Sequence, residues 1–161
     1  MKEPVKPIKR HEALTQFSRE HHFGLLLVWK IRQGLKMNLD PVRIGDYIIY
    51  FFDEELSEHF RSEEIDLFVK LSESDPLRQQ AFQEHEVICD LVDKIRNDKS
   101  SKHFLQKFAD ELESHIRFEE RILFNHIQNQ VSTEELISLL VQHGKRECDI
   151  DNNWKDQFWI K

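Results

Sequence analysis

The stretch HFRSEEIDLF at residues 59–68 returns at 115–124 as HIRFEERILF, with the His, the Arg, both Glu, the Leu and the Phe in the same places. In each copy a His precedes a Glu by four residues, and an α-helix turns about 100° per residue. His59 and Glu63 therefore share one helix face, as do His115 and Glu119. Ile48, Phe52 and Leu56 fall on the His59 side, and Phe108, Leu112 and Ile122 on the His115 side, so both faces are expected to be buried. An ionised carboxylate in an apolar core without a partner costs several kcal/mol or more. A cation must meet these groups, and a metal ion is the economical choice. Imidazole nitrogen and carboxylate oxygen suit iron and manganese, with zinc also accommodated, and a bridging carboxylate holds two such ions within about 4 Å. Two helices each offering His and Glu inward predict a two-metal site.

The elements that must carry these residues are all helical. Of 161 residues, 33% are charged while glycine and proline number four each, which suits long helices and short turns in one domain. A first helix is expected from Glu12 to Met37, a second from Pro41 or Val42 to Leu71, a third from Asp75 to Asn97 and a fourth from Ser101 to Asn129. Short connections between four long helices predict an antiparallel up-down-up-down four-helix bundle. A short additional C-terminal helix should follow from Glu134 to about residue 149, after the start signal at Ser132 or Thr133. The chain thus divides into an extended N-terminal arm at 1–10, which carries Pro4 and Pro7, the bundle at 11–130, and a C-terminal helix with an aromatic tail at 131–161. Trp154, Phe158 and Trp159 are too apolar for water; they pack on the bundle or, alternatively, join a homodimer.

The first and third helices add histidines. Leu14, Phe17, Val28 and Leu35 define a stripe that includes His21, while His22 lies about 100° away, toward the edge. His85 sits among Ala81, Phe82, Ile88, Val92 and Ile95. A single inward His is more often a hydrogen-bonded core residue than a ligand. Six converging groups, His21, His59, Glu63, His85, His115 and Glu119, would leave a metal-free core with unsatisfied polar atoms. His11, His22, His103, His126 and His143 have weaker claims and are read as solvated or as supporting the centre from outside. Cys89, one turn after His85, is read as a core residue rather than as pocket lining.

The order EH at 20–21, HFRSEE at 59–64, EH at 84–85 and HIRFEE at 115–120, at helix-length separations, resembles the hemerythrin-like HHE cation-binding family over residues 11–130. That resemblance implies an antiparallel four-helix bundle around a non-haem di-iron centre. His21, His59, His85 and His115 would be terminal ligands, and Glu63 and Glu119 the bridges. Oxygen-carrying members have a second His where this chain has Cys89, and a bridging Asp where it has Glu120, which leaves one iron with an open or water-filled position. The resemblance implies binding of dioxygen or another small diatomic, or the sensing or holding of iron. The alternative it offers is a di-iron redox enzyme, such as an oxidase or peroxidase, or an iron–sulfur cluster repair factor. A His-rich site with His-x-x-x-Glu, against the carboxylate-rich Glu-x-x-His of ferritin-like oxidases, favours binding, and no residue is assigned a catalytic role. Repair factors carry a cysteine-bearing N-terminal segment, and residues 1–10 contain no cysteine. A metal-free interaction bundle ranks last, because it makes all six inward polar groups accidental.

Other classes are disfavoured. A net charge of −7 with no basic cluster argues against nucleic acid as a partner. The longest apolar run, Leu25 to Trp29, is far short of a membrane span, and the N-terminus lacks the apolar core of a secretory signal. Cys89 and Cys148 form no CxxC pair, which fits a reducing cytoplasm.

Overall fold

A computed structural model describes residues 9–143 and 150–160. Among them the chain is helical throughout, without strands. Helix α1 spans Glu12–Lys36. Helix α2 is continuous over residues 41–70, α3 spans Pro76–Asn97, α4 is continuous over 102–130, and α5 spans Thr133–His143. A 3-10 turn, Ile150–Asn153, opens the C-terminal tail. The fifth helix was expected to reach about residue 149; residues 144–149 lie outside the described residues, as do residues 1–8 of the expected N-terminal arm.

The helix ends follow from local chemistry. His11 caps α1, its Nδ1 accepting from the Ala13 amide at 3.0 Å. Asp40 and Asp75 cap α2 and α3, each followed by a proline whose missing N–H costs nothing in the first turn. Ser101 caps α4. α1 stops where Asn38 adopts a positive φ of 56°, and the Leu39 and Asn38 amides return to the Gly34 and Leu35 carbonyls.

Two departures from regular α-helix fall inside the repeated decapeptides. Glu63–Leu67 and Glu119–Leu123 are π-helical, and a third π segment, Phe52–Leu56, precedes the first repeat. Each π turn takes in one extra residue, so everything beyond it is rotated by about 100° from the α-helical expectation. This corrects the placing of Ile122 on the buried side of α4: it is 50% exposed, while Leu123 and Phe124 are fully buried.

The apolar interior falls into two clusters. One holds Leu27, Ile31, Ile44, Ile48, Ile88, Ile95, Phe108 and Leu112; the other holds Leu14, Phe17, Leu67, Phe68, Ala81, Leu123, Phe124 and Ile127. Along α1 and α3 the second cluster is met first, and along α2 and α4 the first is. The buried His and Glu residues sit at the changeover on all four helices.

The C-terminal tail lies against the first cluster, with Ile150 and Phe158 buried in it and Trp154 and Trp159 packed on it. Tyr50 stacks on Trp154 at 4.5 Å and donates to the Ile150 carbonyl at 2.9 Å. Arg43 grips Asp156 through two hydrogen bonds of 2.9 and 2.7 Å. Lys30, buried in α1, joins the tail to the bundle: its ammonium meets Asp151 at 2.6 Å and the Tyr47 hydroxyl at 3.2 Å, and sits 4.1 Å from the centre of the Trp159 ring. A buried ammonium without partners would be costly, so these contacts are conditions of its burial. Asp151 is 41% exposed on its side chain, which limits the strength of the pair. Replacing Lys30 by Met, which keeps the volume, should lower unfolding free energy by about 1–2 kcal/mol and shift tryptophan emission to the red. Urea titration with fluorescence detection checks this, and an unchanged midpoint with unchanged emission contradicts it.

Candidate metal centre

His21 comes from α1, His59 and Glu63 from α2, His85 from α3, and His115 and Glu119 from α4; all six are buried, none more than 5% exposed. Their ligand atoms gather into two overlapping sets, each with atoms within 4.8 Å of one another and each able to hold a metal ion. The first set is His21, His59, Glu63 and Glu119; the second is Glu63, His85, His115 and Glu119. The two glutamates are common to both.

Within the cluster, Glu63 Oε1 lies 3.2 Å from the Nε2 atoms of both His59 and His85. Glu119 Oε1 lies 2.6 Å from His115 Nε2 and 3.4 Å from His21 Nε2. These are close approaches without hydrogen-bond alignment: all four Nε2 atoms and all four oxygens of Glu63 and Glu119 are buried with no hydrogen-bond partner. Buried polar atoms are normally paired. A concentration of orphans facing one small space is what a cation's donor set requires, and nitrogen with oxygen donors fits iron, manganese or zinc.

Each imidazole is held from its far side by another glutamate. His21 Nδ1 donates to Glu120 at 2.6 Å, His59 Nδ1 to Glu20 at 3.0 Å, His85 Nδ1 to Glu64 at 3.2 Å and His115 Nδ1 to Glu84 at 2.8 Å. A carboxylate oxygen accepts, so each Nδ1 is the donor in its pair and each Nε2 is left facing the centre. Glu64 and Glu120 lie about 100° further round their helices than Glu63 and Glu119, and Glu20 and Glu84 each precede an inward His, so spacing within one helix does not mark them. The signal was present as doublets, EH at 20–21 and 84–85 and EE at 63–64 and 119–120. Arg10 donates to Glu120 Oε2 at 3.2 Å and to its carbonyl at 2.6 Å. Phenylalanines shut out water, with Phe60 stacked on His85 at 3.8 Å and Phe124 on His21 at 5.4 Å.

The other candidates lie elsewhere. His22 and His103 are exposed. His11 serves as the α1 cap, and His126 Nε2 meets Asp75 Oδ2 at 2.6 Å, bracing the start of α3. The side chain of His143 and the whole of Cys148 fall outside the described residues. Cys89 is half-buried against the first apolar cluster, and burial, with Glu64 and other acids nearby, pushes its thiol up to about 11. It is not a thiolate donor near neutral pH.

Among the protein's own groups, charge compensation runs between imidazole and carboxylate. Burial opposes the charged form of each His, but neighbouring glutamates outweigh it: Glu63 and Glu20 carry His59 up to about 9, and Glu119, Glu84 and Glu63 carry His115 up to about 10. His21 and His85 are raised as well. Burial works against Glu63 ionising, yet His59 and the other groups around it hold its carboxyl well below the usual range. The raised histidines stabilise the fold fully below the unfolded imidazole value of about 6.5 and cease to as pH climbs through 9 to 10. Glu63 stabilises it above the unfolded carboxylate value of about 4.3 and ceases to as pH falls through its lower folded value. Chelator-stripped protein should therefore melt highest between about pH 4.5 and 6.5 and progressively lower toward pH 10. Calorimetry across that range checks the sign; a melting temperature that rises from pH 6.5 to 10 contradicts it.

Comparison with curated proteins and with solved structures yields no match to this chain. The Hemerythrin HHE cation binding domain family matches residues 9–127, which takes in all six inward residues and all four outer glutamates. The chain is a member of the hemerythrin HHE cation-binding domain family.

Proposed function

We propose that the chain is a non-haem di-iron protein of hemerythrin type, which binds dioxygen or another small diatomic, or senses or holds iron. The observation that carries this reading is the sharing of Glu63 and Glu119 between two otherwise separate histidine pairs. His21 and His59 would hold one ion, His85 and His115 the other, and the two carboxylates would join them. Manganese and zinc accept the same donors, but iron adds the redox and ligand-binding chemistry of the family. The protein's own part is to aim four Nε2 atoms and two carboxylates at one small space and to exclude bulk water with Phe60, Phe124, Phe17 and Phe68.

A cavity of about 20 Å³ lined by Glu20, Phe23, Phe51, Glu55, Leu56 and His59 reaches the His59 side of the centre. It has room for one water-sized molecule, which supports a diatomic ligand over a bulky substrate. The same reading takes residues 11–130 as an antiparallel up-down-up-down bundle, with 1–10 as an arm and 131–161 packed on it. The alternating order of the two apolar clusters along successive helices supports that topology. It places the protein in a reducing cytoplasm, in keeping with a free Cys89. The tail aromatics contact their own chain, which supports packing on the bundle rather than a homodimer.

Elemental analysis of purified protein should give two iron ions per chain, and Glu63→Ala and Glu119→Ala should each fall to one or none. Full occupancy in both variants refutes the bridging assignment. An absorption band that appears with oxygen and reverses on its removal supports binding. Continuous consumption of oxygen or peroxide with a reductant, or iron transfer to a damaged cluster, selects the alternative: a di-iron redox enzyme or an iron–sulfur cluster repair factor.

A further inference from the structure

The four outer glutamates are ordered around the bundle. Glu20 of α1 holds His59 of α2, Glu64 of α2 holds His85 of α3, Glu84 of α3 holds His115 of α4, and Glu120 of α4 closes the circuit on His21 of α1. Every helix gives one carboxylate to the next helix's imidazole and receives one for its own. The sequence builds this economically, because the residue before His21 and His85, and the residue after Glu63 and Glu119, supply the four acceptors. Their side chains are 11 to 35% exposed, so each keeps contact with water while its His partner is buried.

We propose that Glu20, Glu64, Glu84 and Glu120 are positioning residues that form a closed relay, each helix setting the tautomer and the aim of the imidazole on its neighbour. The relay rests on the two-metal reading above. It also divides the work: Glu120 and Glu20 serve His21 and His59 of the first set, while Glu64 and Glu84 serve His85 and His115 of the second. Losing a carboxylate that holds a metal-binding imidazole lowers affinity about 10- to 100-fold. The relay locates that loss, because a defect at one link falls on one metal position.

Cobalt(II), whose visible bands report occupancy, is titrated anaerobically into stripped protein. Wild type should take up two ions per chain. Glu20→Ala with Glu120→Ala strikes one position twice, so one ion should bind as in wild type and the other at least about 100-fold more weakly. Glu20→Ala with Glu84→Ala strikes each position once, so both ions should weaken by about 10- to 100-fold. The corresponding Gln variants keep an acceptor for Nδ1–H and should recover most of the loss. If the two double variants give the same titration curve, or wild-type curves, the relay is overturned while the two-metal reading stands. A wild type that takes up no second cobalt overturns the two-metal reading and the relay with it. Should the Ala variants fail to fold by circular dichroism, histidine ¹⁵N spectra of zinc-loaded wild type decide the matter alone. All four imidazoles must be protonated at Nδ1 with Nε2 on zinc, and one ligating through Nδ1 overturns the proposal.

Discussion

Two glutamates with no measurable solvent contact, Glu63 and Glu119, impose the constraint that the rest of the molecule serves. A carboxylate in a protein interior survives as an anion only if the surroundings supply positive charge or protons. Here the supply is organised on one level of the bundle by four imidazoles, one from each long helix. Apolar packing cannot run through that level, which is why the hydrophobic interior is two clusters. The clusters clamp the polar layer above and below, and the phenylalanines at their inner edges lie directly on the imidazole rings.

Much of this was legible in the sequence. The decapeptide repeat and its four-residue His–Glu spacing identified the inward pairs, and apolar stripes distinguished His21, now buried, from exposed His22. Helix starts at Asp40, Asp75 and Ser101 were readable because capping is a local hydrogen-bond requirement. What escaped was geometry beyond the regular period. The π turns beginning at Glu63 and Glu119 change the phase of their helices, so Ile122 faces water and the core is filled by residues one step further on.

The outer glutamates escaped for a different reason. Their partners lie on other helices, 21 to 99 residues away, and no spacing rule within a helix reveals such a pairing. A glutamate beside an inward His looks like a solvated surface residue when a helix is considered alone. Only the packed bundle shows that a residue rotated off the centre of one helix face arrives against the neighbouring helix's imidazole.

The near-duplication of the two decapeptides would, left to itself, make the two halves of the site equivalent, each a His pair on the same two carboxylates. Arg10 breaks that degeneracy. Its guanidinium takes part of Glu120's charge, so the acceptor behind His21 is shared with a cation, and Arg10 also reaches Asn125 and Gln128. The guanidinium also lies 5.2 Å from the centre of the Phe124 ring, which stacks on His21. The polypeptide thus carries a built-in polarity across its centre: a pseudo-symmetric scaffold with one edge electronically labelled by the start of the chain.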